Sequence, residues 1–303
     1  MREGAPSQKT SAAGKPEPLA EGGFVSSRTL TLVALAALVA LLAVHPAAAA
    51  PPHRIVSLSP TATESLFAIG AGPQVVAVDD QSDYPKRAPR TSLSGYTPNV
   101  EAIAGYRPDL VVLSGDANDV VAGLRKLEIR VLLQPAAKNL AETYAEIRQL
   151  GVVTGHQRNA KAVVTRMQKA ITKAIRSTPK RRLSVYHELT PDFYSASSKT
   201  FIGRIYKLFG LRNIADAADS GGTGYPQLSP EYILSANPAL IVLADGRCCR
   251  QSAAVVSNRP GWSGVAAVRT HSVVVIDDSV ASRWGPRVVD FVQAVAKTLR
   301  RRR

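Results

Sequence analysis

The sequence predicts an α/β protein of two lobes, each built on a mainly parallel, Rossmann-like sheet, joined by one long bridging α-helix. Three observations predict it. Short β-branched runs alternate with amphipathic helical stretches throughout the chain after residue 50. A set of landmarks recurs at an offset of 129 or 130 residues. Between the two copies runs one uninterrupted helical stripe, Gln157–Arg176.

Length and composition agree. The chain has 303 residues, enough for two domains of roughly 150 residues each. With 45% hydrophobic and 20% charged residues it is globular, neither disordered nor collagen-like. Two cysteines cannot form a disulfide framework. No later apolar run matches the one near the start, which excludes a polytopic membrane protein.

The first fifty residues stand apart. Residues 1–29 are polar, and Leu30–Val44 then runs fifteen residues without a charge. Arg28 precedes that run, and Pro46 and Ala47–Ala50 follow it. A basic flank, a short apolar stretch and small residues at an A-x-A site describe a secretory signal. The alternative, an uncleaved anchor, needs about 20 apolar residues. No cysteine sits at the cleavage site, so a Cys-anchored lipoprotein is not expected. The expectation is a periplasmic or cell-surface protein. Residues 1–50 form the leader and signal, 51–156 the N-terminal lobe, 157–178 the bridging helix and 179–303 the C-terminal lobe.

The net charge is +15. It reads as scattered, apart from Lys180-Arg181-Arg182 and Arg300–Arg303. Nucleic-acid binding would need a basic stripe with aromatics or a known module, and neither is evident. An anionic surface or ligand fits the charge better.

The elements follow in order. Arg54–Leu58 reads as a strand. Ser59-Pro60-Thr61 opens a helix through Ile69, stopped by Gly70 and Gly72. Gln74–Val78 is a second strand, ending at Asp79-Asp80. Asn99–Tyr106 is a short helix, Leu110–Leu113 a strand, Val120–Leu127 a helix and Arg130–Leu133 a strand. The second half restarts with a strand over Arg182–Tyr186. Phe201–Phe209 is a helix stopped by Gly210, and Glu231–Ala236 a short helix. Leu240–Leu243 and Val273–Ile276 are strands, and Arg287–Leu299 is the closing helix.

The repeat is specific in order and spacing. Gly95-Tyr96, Glu101 and Pro108 followed by DLVVL correspond to Gly224-Tyr225, Glu231 and Pro238 followed by ALIVL. In the bridging stretch Ala160, Val163, Val164, Met167, Ala170, Ile171, Ala174 and Ile175 share one face, and Pro179 ends it. A helix of about 22 residues is about 33 Å long. It is stiffer than a flexible linker and predicts small closing motions.

With these residues in hand a family resemblance appears. SLSPTATESLFAIG at Ser57–Gly70, SDYP at Ser82–Pro85 and NVEAIAGYRPDLVVL at Asn99–Leu113 carry it in the first half. FIGRIYKLFGLRNI at Phe201–Ile214, YPQLSPEYILSANPALIVL at Tyr225–Leu243 and SRWGPRVV at Ser282–Val289 carry it in the second. Together they resemble the helical-backbone, class III substrate-binding proteins of ABC importers for cobalamin, haem and iron–siderophores. The resemblance implies a monomeric carrier with no resident cofactor. Its ligand would be a small-molecule metal chelate and its partner an ABC permease dimer. It also implies that Glu101 and Glu231 dock onto permease arginines. Asn99 and Ser229 would cap those helices, and a first-turn glutamate also suits a helix dipole, which explains each glutamate singly but not the matched pair.

A cleft between α/β lobes is lined by loops after the strands. Those loops carry Tyr84, Tyr96, Tyr194, Tyr225 and Trp284, whose faces suit a flat chelate. Arg283 matches a ligand-facing arginine of the family and could pair with a carboxylate or a siderophore oxygen. Asp79-Asp80-Gln81 replaces an aromatic of the cobalamin type, with Gln81 as a polar contact. This loop and the basic surface put an iron–siderophore first and cobalamin second. Adjacent Cys248 and Cys249 leave three roles open: a vicinal disulfide at the cleft edge, metal capture, or a plain loop.

Enzymatic signatures are missing. There is no GxxxxGK[ST], no HExxH and no G-x-S-x-G. His156, His187 and His271 are not spaced as metal ligands. No nucleophile, base and orienter assemble, so no enzyme is expected. The remaining alternative is a metal-binding, chaperone-like protein on the same fold.

Overall fold

The structure, a computed structural model, describes residues 50–180 and 182–301. The secretory segment expected over residues 1–50 lies, but for Ala50, outside the described residues.

The first lobe opens with β1 (Ile55–Leu58), α1 (Pro60–Ala68) and β2 (Val75–Val78). It continues through α2 (Val100–Ala104), β3 (Leu110–Leu113), α3 (Val120–Lys126) and β4 (Arg130–Leu133). All pairings are parallel, in the order β2-β1-β3-β4. Ile55–Leu58 and Leu110–Leu113 are buried along their whole length, as expected for inner strands covered on both faces. The strand order reverses between β1 and β3, which places a crevice outside their carboxyl ends.

Two helices follow, α4 (Leu140–Thr154) and α5 (Gln157–Arg176). The second lobe then repeats the first. Its elements are β5 (Ser184–Glu188), α6 (Phe201–Leu208), β6 (Arg212–Asn213), α7 (Pro230–Ala236) and β7 (Leu240–Leu243). Short helices α8 (Gly246–Cys249), α9 (Ala253–Ser257) and α10 (Ala266–Arg269) precede β8 (Val273–Val275), and α11 (Asp278–Ser282) and α12 (Val288–Arg301) close the chain. The second sheet has the order β6-β5-β7-β8, again all parallel. The order matches β2-β1-β3-β4 strand for strand.

Two expectations shift. The strand read at Arg182–Tyr186 forms two residues later, where Ser184–Glu188 is wholly buried between the neighbouring strands. The second is α4, fifteen residues long and absent from the sequence reading. Its signals are local. The Asn139 side chain caps the Ala141 and Glu142 amides, Glu142 reaches back to the Lys138 amide, and Gly155 closes the helix at φ 78°.

The bridging helix α5 buries Ala160, Val163, Val164, Met167, Ile171 and Ala174. One apolar core runs from Ile55 and Leu66, through Met167 and Ile171, to Val185, Tyr206 and Phe291. A separate cluster lies on the outer face of each sheet. The helix is therefore a shared wall of both lobes.

Ile171→Ala should lower stability by about 2–5 kcal/mol in urea unfolding, while Lys169→Ala, on the exposed face of the same helix, should stay within about 0.5 kcal/mol.

Candidate functional site

The loops after β1 and β3 open a cavity of about 370 Å³, lined among others by Ser59, Thr61, Asp79, Gln81, Tyr96, Ser114, Arg283 and Trp284. A second cavity of about 390 Å³ is lined by Lys138, Lys199, Phe201, Tyr225 and others. Ser282 and Trp284 line both. Trp284 therefore stands between two compartments of one cleft.

Local structure sets these positions. Ser59 follows β1, caps α1 through the Ala62 amide and is followed by Pro60 at the first helical position. That turn brings Ser59 and Thr61 to the cleft and sends α1 back into the core. Gly95 passes close to β1: a Cβ there would meet the Leu58 carbonyl oxygen at 2.7 Å. Only glycine lets the Tyr96 loop approach so closely.

A buried ionic network joins the lobes across this cleft. Glu64, in α1, is 3% exposed. Arg287 grips it with Nε at 2.9 Å and Nη2 at 2.5 Å, and Arg283 Nη1 adds a bond of 2.9 Å. Arg283 also reaches Asp83 Oδ1 at 2.8 Å and the Gln81 carbonyl at 2.8 Å. Arg247 extends the network to Asp83 at 3.3 Å and Asp277 at 3.6 Å. At Asp83, partial burial raises the carboxyl, but the Arg283 bond and the three nearby arginines outweigh it and hold the pKa below its usual value.

This geometry changes the expected part of Arg283. The reading from sequence has it pairing with an anionic ligand. In the structure its guanidinium lines the cavity but is engaged by Glu64, Asp83 and the Gln81 carbonyl, because the buried Glu64 carboxylate must be neutralised. Gln81 also lines the cavity, and its main-chain oxygen is what holds Arg283.

At the wall of the first cavity, Asp79 carries an unpartnered oxygen. It is 1% exposed, and its Oδ1 has no hydrogen-bond partner among the described residues. Burial raises its pKa, followed by smaller opposing effects of Ser82 and Asp80. Asp278, also at this wall, uses both carboxylate oxygens on the Arg247 and Cys248 amides at 3.0 and 2.7 Å. Those amides start α8, in which the sulfurs of Cys248 and Cys249 are paired.

The aromatics divide. Tyr96 lines the first cavity, Tyr225 the second and Trp284 both. Tyr84 and Tyr194 line neither. Tyr84 stacks under the Arg287 guanidinium at 4.3 Å, and Tyr194 bridges Gln227. Trp284 donates from Nε1 to Glu146 Oε2, on α4, at 3.0 Å. Burial pushes the Glu146 carboxyl up to about 7, moderated by the Trp284 bond and assisted by Glu142. Glu64, Asp83, Glu146 and Arg287 are missing from the site read from sequence, which named Asp79 only as part of the loop with Asp80 and Gln81. Glu64 had a signal, as the single charge in SLSPTATESLFAIG.

Glu101 and Glu231 are exposed in the first turns of α2 and α7, each two residues after the capping residue, Asn99 or Ser229, whose side chain accepts from the Ala102 or Tyr232 amide. No group of three or more His, Cys, Asp or Glu that could hold a metal occurs among the described residues. His187 is fully buried, 2.6 Å from Tyr206 Oη, and burial lowers its pKa to about 3, so it is a neutral core residue.

Comparisons with known proteins agree with this architecture. A family model described as periplasmic binding protein matches residues 55–280. An uncharacterized ABC transporter substrate-binding lipoprotein of Bacillus subtilis (strain 168) is 32% identical over 82% of this chain and 80% of its own. A cobalamin-binding protein of Halobacterium salinarum (strain ATCC 29341 / DSM 671 / R1) is 33% identical over 81% of this chain and 69% of its own. Among solved structures, a possible iron-binding periplasmic protein from Staphylococcus epidermidis ATCC 12228 superposes with a TM-score of 0.69 at 26% identity, covering 82% of this chain and 99% of that one. The periplasmic haem-binding protein HutB of Vibrio cholerae gives 0.72 at 23% identity, over 80% and 97%, which speaks for the fold.

The Glu146–Trp284 bond makes a pH prediction. Burial favours the protonated carboxyl, so the stability Glu146 contributes is present below pH 4.5 and lost as pH rises through about 7. Trp284 emission should titrate with a midpoint near pH 7, and Glu146→Gln should abolish that step.

Proposed function

The chain belongs to the periplasmic binding protein family, and we propose that it is the extracytoplasmic receptor of an ABC importer whose cargo is a corrinoid. The observation that carries the choice of cargo is the polarity of the cleft. In the first compartment the arginine is engaged and the unpartnered buried oxygen at the wall is Asp79 Oδ1, while the lysines of the cleft, Lys138 and Lys199, line the second. Haem propionates and ferric catecholates are anionic and would meet that acceptor with no unengaged guanidinium beside it. A corrinoid carries amide groups around its ring, whose N–H bonds can satisfy such an acceptor.

Shape and kinship support the same cargo. Tyr96, Tyr225 and Trp284 offer flat faces on the two sides of the cleft. Relatives named as cobalamin-binding and vitamin B12-binding match most of the chain, at 33% and 28% identity. Capture and release rather than turnover is the role in keeping with the binding-protein family.

Delivery uses the matched pair Glu101 and Glu231. Each is exposed on its own lobe at the start of a short helix. Together they fit two cationic sites on a dimeric permease, and the protein works as a monomer.

Titration of the purified protein with cyanocobalamin, haem, a ferric hydroxamate and a ferric catecholate should give saturable quenching of Trp284, strongest with cobalamin and submicromolar. Tighter binding of haem or either siderophore would contradict the proposed cargo. Glu101→Ala with Glu231→Ala should stop uptake in cells while leaving cobalamin affinity unchanged. A loss of ligand affinity in that variant would remove the docking assignment.

A further inference from the structure

The charge that reads as scattered in sequence gathers on one helix. In α5, Arg158, Lys161, Arg166, Lys169, Lys173 and Arg176 are all exposed, and no acidic residue occurs from Gln157 to Arg176. At 100° per residue these six cations fall within an arc of about 140°, directly opposite the arc of about 100° that holds the buried positions. None of the six has an ion-pair or hydrogen-bond partner among the described residues. Lys180, Arg182, Lys297 and Arg301, also exposed, extend the positive charge beyond the helix and onto α12.

The place of this face in the fold is fixed by bonds. At the start of α5, Asn159 donates to the Ile69 carbonyl at 3.0 Å, at the far end of α1. Just past its end, Ser177 accepts from Arg300 at 3.2 Å, in the last turn of α12. Both α1 and α12 begin at the cleft. The two ends of α5 therefore sit against the ends of α1 and α12 that are remote from the cleft.

We propose that this face docks a linear polyanion of the cell envelope, a polymer bearing phosphate or carboxylate groups, and so tethers the receptor with its cleft exposed. A helix of 20 residues is about 30 Å long. Successive charges are three to five residues apart, a rise of about 4.5–7.5 Å along the axis, comparable with the screening length of about 8 Å at physiological salt, so neighbouring charges act together on an extended polymer. A polymer fits better than a bilayer on two counts. The exposed arc carries no large apolar or aromatic side chain to insert into a membrane. The cleft side must face the bilayer that holds the permease, which turns α5 away from it. This second point rests on the docking role of Glu101 and Glu231, whereas the first does not.

The test compares the purified protein with its Lys161→Glu, Lys169→Glu, Lys173→Glu variant. Fluorescein-labelled polyglutamate and phosphatidylglycerol vesicles are the two probes, across a salt series. The result expected is tighter binding to the polymer than to the vesicles, steeply weakened by salt and reduced at least tenfold in the variant. Cobalamin affinity and the thermal transition should be unchanged, which separates this outcome from a failure of the cargo assignment or of folding. Polymer binding that survives the three reversals, or vesicles that bind more tightly than polymer, would overturn the proposal. If the glutamate variant does not fold, the corresponding Lys→Gln variant gives the same reading with a smaller loss.

Discussion

Two arginines of the C-terminal lobe close on one carboxylate buried in the N-terminal lobe, and much of the site follows from that contact. Glu64 sits in a helix whose Thr61–Leu66 segment is entirely buried. An isolated carboxylate there would be costly to desolvate. Arg283 and Arg287 neutralise it from across the cleft, and Asp83 and Asp277 balance the arginines in turn. Such a network contributes little net stability compared with an apolar replacement. Removing one partner is what is expensive, about 3–5 kcal/mol. Its value here lies in register: the bonds form in one relative placement of the lobes.

The character of the cleft is a consequence. Because its arginines face Glu64 and Asp83, the first compartment presents an engaged guanidinium rather than a free one. Because Arg283 lies within the Ser282–Trp284 turn and Arg287 three residues after it, they also hold Trp284 between the two compartments, where Glu146 receives its indole N–H. Asp278, at the start of α11, ties the helix that leads into this turn to the cysteine-bearing helix α8. The shared core through Met167 and Ile171 resists large hinge motion from below. The cleft is thus braced at both its mouth and its base.

Much of the fold was legible in the sequence because its signals are local or periodic. Gly95-Tyr96 to Leu113 and Gly224-Tyr225 to Leu243 repeat in order, and the two sheets repeat in strand order. The stripe from Ala160 to Ala174 gave the bridging helix. Helix α4 was legible in principle, through Asn139, Glu142 and Gly155, but its mixed apolar pattern obscured it. The site was less legible. Tyr96, Tyr225, Gln81, Arg283 and Trp284 do reach the cleft, since position after a strand is a sequence property. What engages each of them is not: Glu64 and Arg283 are 219 residues apart. The same limit hid the basic face of α5, where charges spaced unevenly in sequence align only once wound at 3.6 residues per turn.

The central claim, that the engaged state of Arg283 sets the cleft's preference, is tested most directly by one substitution. Glu64→Gln keeps the side chain's size and removes the one charge that both arginines share. Affinities for cobalamin and haem should be measured in the folded variant by Trp284 quenching. The account predicts that released guanidinium charge shifts the preference toward the anionic haem by at least tenfold. An unchanged ratio in a variant with an intact thermal transition would contradict it.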